Sequence, residues 1–229
     1  MRVVALPGES GMRSKPAMLA FKLPKQAKKI LCLGAHADDI EIGCGGTLLT
    51  WIRERPDLEI QWVVFTAEGT RAQEALRSAK AILRRVRHKI VVKDFRESFL
   101  PFQGSEVKDC FEALKGSFQP DLVFTHYRDD RHQDHRLLSD LAWNTFRDHL
   151  ILEYEIPKYD GDLGSPDIFM PIESGLSKKK AAHICRFFQT QANKHWFSEE
   201  TFLALMRLRG VECSARYAEA FYCRKLVLA

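Results

Sequence analysis

Two short stretches concentrate the side chains able to do chemistry. The first, Gly34-Ala-His-Ala-Asp-Asp39, continues through Glu41 to Gly43-Cys-Gly-Gly46. It sets one imidazole and two carboxylates close together, directly after the apolar run Ile30 to Leu33. The second, His132-Gln-Asp-His135, comes shortly after the apolar run Leu122 to Phe124. Imidazole nitrogen and carboxylate oxygen suit a catalytic zinc site, which takes three protein ligands and leaves one position for water. His36 and Asp39 leave a strand three residues apart, and His132 and His135 share a face at a helix start. These four are candidates for three places on a cation. Asp38 then remains for general-base work on the activated water.

The surrounding pattern must bring the two stretches together. Strand-length apolar runs at Ile30–Gly34, Leu58–Thr66, Lys89–Val92, Asp121–Thr125 and Leu150–Ile156 alternate with helical periods. The helices are expected over Gly45–Glu54, Arg71–Arg87, Ser105–Phe118 and His135–His149. That alternation predicts an α/β fold, a mostly parallel sheet with helices on both faces and right-handed crossovers. After Pro157 the pattern changes. Lys158–Pro166 reads as a loop, Asp167–Pro171 as an extended piece, Lys178–Gln191 and Ser198–Arg209 as helices, and Tyr217–Val227 as a returning strand. Both His/Asp stretches fall at the carboxyl ends of strands, where open α/β sheets bind ligands.

Taken with Glu41 and Gly43-Cys-Gly-Gly46, the stretch Ala35-His36-Ala37-Asp38-Asp39 resembles the AHPDDxExGxGG signature of the PIG-L/LmbE-like N-acetylglucosaminyl deacetylases. His132-Gln133-Asp134-His135 is similar to the HPDH element of that family, Arg71-Ala-Gln-Glu74 to its RxxE segment, and Tyr217-Ala-Glu-Ala-Phe221 to its C-terminal ending. The likeness runs from about Lys29 to Phe221, and the joint order is more specific than any piece alone. Alanine and glutamine replace the family prolines at Ala37 and Gln133, positions that set the turn and supply no ligand. The resemblance implies a Rossmann-like fold and a zinc-dependent amidase acting on an N-acetylated sugar, with iron(II) as the other candidate metal. It implies that His36, Asp39 and His135 hold the metal and that Asp38 is the base. It further implies that His132 steadies the oxyanion and protonates the leaving amine, with Asp134 orienting His132 and keeping it charged. Residues two apart do not face each other on a helix, so that pairing needs a non-helical turn.

Three residues are candidate substrate contacts. Arg71 stands at a helix start, Asp130 near the second stretch, and His126 at the end of the fourth strand. Pairing with Glu74 is the competing role for Arg71, and packing behind a ligand is the competing role for His126. The Phe95-Arg-Glu-Ser-Phe99 segment is expected in the core or the pocket wall. Two other functions are weighed. Ile40–Gly46 mimics the glycine loop of S-adenosylmethionine-dependent methyltransferases, but the strand this requires would bury three carboxylates. A non-catalytic relative that binds a sugar conjugate has no need for both Asp38 and His132.

Composition bounds the rest. The chain has 229 residues, 45% hydrophobic and 28% charged, which suits one substantial soluble α/β domain over 29–229. Residues 1–28 read as an irregular basic arm, too broken by Pro7, Pro16 and Pro24 for a signal segment. No apolar run approaches the roughly 18 residues of a membrane span. Six cysteines without CxxC spacing point to a reducing cytoplasm rather than to disulfides or a zinc ribbon. Thirty-five basic against 30 acidic residues give a charge of +5, too scattered for nucleic acid. With Arg71 it favours a nucleotide- or phosphate-linked sugar. Neither the sugar conjugate nor the oligomeric state is legible.

Overall fold

Apolar residues at alternate strand positions point to opposite faces, so a strand buried on both faces reads as a continuous apolar run. The computed structural model, which describes residues 19–227, places five strands in parallel, all but the third, at the sheet edge, largely buried. They are β1 (Lys29–His36), β2 (Glu59–Thr66), β3 (Arg87–Val92), β4 (Leu122–His126) and β5 (Leu150–Tyr154). Two more strands, β6 (Ile168–Pro171) and β7 (Ala218–Tyr222), extend the sheet, with β7 antiparallel to both β5 and β6. The order is β3-β2-β1-β4-β5-β7-β6. Six helices cover the sheet: α1 (Asp39–Glu54), α2 (Gly69–Leu83), α3 (Gly104–Ser117), α4 (Gln133–Thr145), α5 (Ser174–Phe187) and α6 (Glu199–Glu212).

The two faces carry separate cores. Ile30, Cys32, Ile60, Trp62 and Phe124 pack with α1, α2, α5 and α6 on one side. Leu31, Leu33, Val63, Phe65 and Val123 pack with α3 and α4 on the other. This is the α/β architecture expected, including the C-terminal elaboration. Of the expected N-terminal arm, residues 1–18 lie outside the described residues, and 19–28 form no helix or strand. No helix among the described residues is long and apolar enough to cross a membrane.

Several element boundaries differ from those expected, and three of them bear on the site or its packing. α4 begins at Gln133 rather than His135, and β7 stops at Tyr222 rather than Val227. α1 begins at Asp39 rather than Gly45, which puts the glycines inside the helix. A Cβ on Gly43 would stand 2.2 Å from Tyr154 Cδ2, and one on Gly46 would stand 2.9 Å from Glu219 Oε1. These glycines serve close packing of α1 on β5 and β7. The methyltransferase alternative, which needed a glycine loop here, is thereby corrected.

Candidate metal centre

β1 and β4 are neighbours at the point where the strand order reverses, and a crevice opens beyond the carboxyl ends at such a point. β1 ends on His36, Asp38 is the N-cap of α1, and Asp39 opens that helix. β4 ends on His126, His132 caps α4, and His135 lies in its first turn. Strand pairing thus delivers both motifs to one spot.

Three donor atoms converge there. His135 Nε2 is 3.0 Å from His36 Nδ1, His36 Nδ1 is 3.2 Å from Asp39 Oδ2, and Asp39 Oδ2 is 3.5 Å from His135 Nε2. Ligand bonds of about 2.0–2.1 Å to a tetrahedral zinc ion set its donor atoms about 3.3 Å apart. The triangle agrees with that spacing on every edge, and all three residues are buried. Each imidazole is held from behind by a carboxylate. His36 Nε2 faces Asp134 Oδ2 at 3.3 Å, and His135 Nδ1 faces Asp130 Oδ2 at 2.9 Å. With protons on those outer nitrogens, the inner ones keep their lone pairs for a cation.

The electrostatics agree. Burial opposes charge on His36, but Asp39 and the hydrogen bonds to Asp134 and Asp39 outweigh it and push the pKa up to about 10. His135 is raised against burial by Asp39 and Asp130. Burial would lift Asp39, yet His135, His36 and His126 hold it well below the carboxylate range. The spot favours positive charge, which a divalent cation could supply in place of ring protons.

The other expected residues fall as follows. Asp38 is buried at the rim, with Arg71 Nη2 at 3.8 Å from its Oδ1. His132 packs edge-on to His36, ring centroids 4.6 Å apart, and its Nδ1 accepts the Asp134 N–H at 3.2 Å. The non-helical turn is present, but it presents the Asp134 amide to His132. The Asp134 carboxylate points elsewhere, to His36, to Ser98 N–H at 2.6 Å and to Leu100 N–H at 3.1 Å. Arg71 binds both oxygens of Glu97, at 2.9 and 2.6 Å. Glu74 instead binds Thr190. Asp130 is buried with both oxygens taken, by His132 N–H, His135 and Lys158 Nζ. One of these three donors is the ring of the candidate ligand His135.

His126 is fully buried, which suits packing behind a candidate ligand, the second of its two expected roles. Its Nε2 accepts the Ala35 N–H at 2.9 Å, tying β1 to β4, and its ring stacks on His135 with centroids 3.9 Å apart. Donor atoms of Asp39, His126 and His135 lie within 4.8 Å of one another, as do those of His36, His132 and His135. The His126 lone pair is already engaged, so the His36, Asp39 and His135 triangle is the better ligand set. Lys158, Glu97 and the Ser98 and Leu100 amides were not foreseen. They come from loops without periodicity, and only the fold brings them near.

Comparison with known proteins follows the same lines. A sequence profile of the family PIG-L, GlcNAc-PI de-N-acetylase, matches residues 31–146. An uncharacterized deacetylase, YaiS, of Escherichia coli K12 is 33% identical over 144 residues, 57% of this chain and 75% of that protein. Among solved structures, the conserved protein TT1542 from Thermus thermophilus superposes with a TM-score of 0.69 at 22% identity, covering 87% of this chain and 96% of that one. The N,N'-diacetylchitobiose deacetylase from Pyrococcus horikoshii gives 0.67 at 24% identity, covering 87% and 84%. The profile match spans both motifs of the metal centre, and the chain belongs to the PIG-L family.

Proposed function

We propose that this chain is a zinc- or iron(II)-dependent deacetylase that hydrolyses the acetamido group of an N-acetylated amino sugar or sugar conjugate. The observation that carries the reading is the donor triangle of His36, Asp39 and His135, with Asp38 and His132 beside it. The bound ion would supply Lewis acidity that lowers the pKa of water toward about 7. Asp38 is the base. Burial raises its pKa, Asp39 adds to this, and Arg71 opposes both. A raised carboxyl holds a proton better, as a general base at neutral pH must. It takes one proton from water as the new oxygen–carbon bond forms at the acetyl carbonyl.

His132 receives the oxyanion. Because the Asp134 N–H occupies Nδ1, the neutral ring carries its proton on Nε2 and donates it toward the site. One well-aimed donor contributes roughly 3–4 kcal/mol in the transition state. Surrendering that proton would leave an imidazolate. Asp38 therefore returns the water's proton to the nitrogen as the C–N bond breaks, releasing acetate and a free amine. This departs from the expectation of a charged His132 acting as acid, because the Asp134 carboxylate is spent on His36 and the Ser98 loop.

The anionic-conjugate expectation loses support, since Glu97 already neutralises Arg71. The cysteines are free thiols, several of them buried, which supports a reducing cytoplasmic setting. The test is acetate release from a panel of N-acetylated sugars by metal-loaded and metal-stripped protein. Release that tracks metal content supports the reading. Stoichiometric metal with no acetate from any member would overturn it in favour of a sugar-conjugate-binding protein.

A further inference from the structure

Two loops border the metal centre, one bonded to the first turn of α4 and the other to the segment between β4 and α4. The first, 95–103, is held by Asp134 through the Ser98 and Leu100 amides, and Gln133 Nε2 donates to Ser98 O at 3.0 Å. Ser98 has φ 66°, a left-handed conformation that a non-glycine residue keeps only where its surroundings hold it. The second, 158–166, is held by Asp162, which accepts the Arg131 N–H at 2.7 Å. Lys158 Nζ joins the same loop to Asp130 and Asp162, at 2.9 and 2.5 Å.

Each loop turns large apolar side chains to solvent. Phe99 and Phe102 are 37% and 82% exposed on the first, and Tyr159 and Leu163 are 73% and 42% exposed on the second. Elsewhere among the described residues such exposure is confined to 19–21, to 226–227 and to one face of α6. The Phe99 and Phe102 rings lie 5.9 Å apart, and the Arg96 guanidinium stacks 3.5 Å over Phe99. Phe99 sits between two amides that touch Asp134, and Asp134 touches His36. Its backbone is therefore within roughly 10 Å of the donor triangle. Exposed apolar surface grouped in this way marks a binding site more often than chance solvent contact.

We infer that these two loops form an apolar collar that receives the part of the substrate beyond its acetamido sugar, and that this part is an alkyl or aromatic group. The inference rests on the deacetylase reading. One loop is bonded to the carboxylate that holds His36 and the other to the carboxylate that holds His135, so both neighbour whatever extends from an acetamido group at the triangle. An anionic remainder finds Arg71 engaged by Glu97 and Lys158 by Asp130 and Asp162, while the one guanidinium on the collar itself, Arg96, lies flat on Phe99. An apolar remainder covers four side chains otherwise left in water.

The experiment compares kcat/KM for acetate release from the methyl, hexyl and phenyl glycosides of N-acetylglucosamine by the metal-loaded enzyme. The hexyl and phenyl compounds should exceed the methyl one by about tenfold or more, the effect of covering roughly one large side chain. In Phe99→Ser/Phe102→Ser, and separately in Tyr159→Ser/Leu163→Ser, that ratio should collapse toward one. A wild-type ratio near one, or a ratio kept in both variants, would overturn the inference alone. No acetate from any of the three would overturn the deacetylase reading and the collar with it.

Discussion

Replacing Asp130 by asparagine tests how the metal ligands are oriented. The carboxylate accepts from His132 N at 2.7 Å, from His135 Nδ1 at 2.9 Å and from Lys158 Nζ at 2.9 Å. Asparagine keeps one acceptor oxygen, and its NH₂ cannot accept from a ring N–H or an ammonium. With that oxygen left on His132 N–H, His135 and Lys158 each lose a charge-assisted partner. Hydrogen bonds to charged groups contribute roughly 1.5–3 kcal/mol each. The fold should therefore lose about 3 kcal/mol, softened because Asp162 still pairs with Lys158. His135 loses the partner that fixes its tautomer, and metal affinity should fall roughly 10–100-fold. Chelator-competition titration of zinc into metal-stripped protein reads the affinity, and thermal unfolding of the same samples reads the stability. Adding Lys158→Met should recover part of the stability by removing the under-paired ammonium, without restoring affinity. Zinc affinity of Asp130→Asn within about twofold of wild type would refute the assignment of Asp130 as the residue that positions His135.

Other outcomes follow from the same geometry. Asp38→Asn should keep stoichiometric metal and lose about 10²–10⁴-fold in turnover; near-normal acetate release would remove Asp38 from the chemistry. His135→Ala should lose the metal by elemental analysis, and a fully metallated variant would contradict the ligand set. Gly43→Ala forces a Cβ to 2.2 Å from the buried Tyr154 ring and should cost about 3 kcal/mol by urea unfolding; an unchanged midpoint would mean α1 does not approach β5 so closely. Glu41 is buried, with Oε2 unpartnered among the described residues, and burial pushes its pKa up from 4.5 to about 8. The folded state then binds the extra proton between those values, so stability falls as pH rises through that window. Glu41→Gln should flatten the slope and stabilise by about 3 kcal/mol at pH 7. Parallel pH profiles for the two proteins would disprove the burial argument.

The sheet was readable because β1, β2 and β4 are built on apolar runs of strand length, broken in β2 by Gln61, and a run of that length has few alternatives. The site was readable because each motif directly follows or closely trails such a run, so strand adjacency alone brings His36 to His135. Other contacts were opaque for a physical reason. Asp134 and Asp130 each carry hydrogen bonds to residues distant in sequence, and no local spacing announces a Ser98 amide or a Lys158 ammonium as partner. The depth of His126 was not legible because its position at a strand end says nothing about burial, and the Ala35 N–H that claims its nitrogen lies on another strand. The Gly43–Gly46 run was ambiguous for a related reason. Glycine marks closeness to something, and only tertiary structure says whether that something is a ligand or Tyr154.

Glu219, near the far end of the chain, accepts the Gly46 and Thr47 N–H groups at 2.7 Å each, while its partner Lys180 donates to the Ile42 carbonyl at 2.5 Å. Both side chains lie beyond residue 146, where the profile match stops. The tail is therefore joinery for the helix that opens with Asp39. Cutting the chain back to its most recognisable portion would strip that helix of its clamps, and grafting a foreign tail would have to restore the same acid and amine. The acid and the amine thus fix this part of the chain from within, as a splice between its two ends.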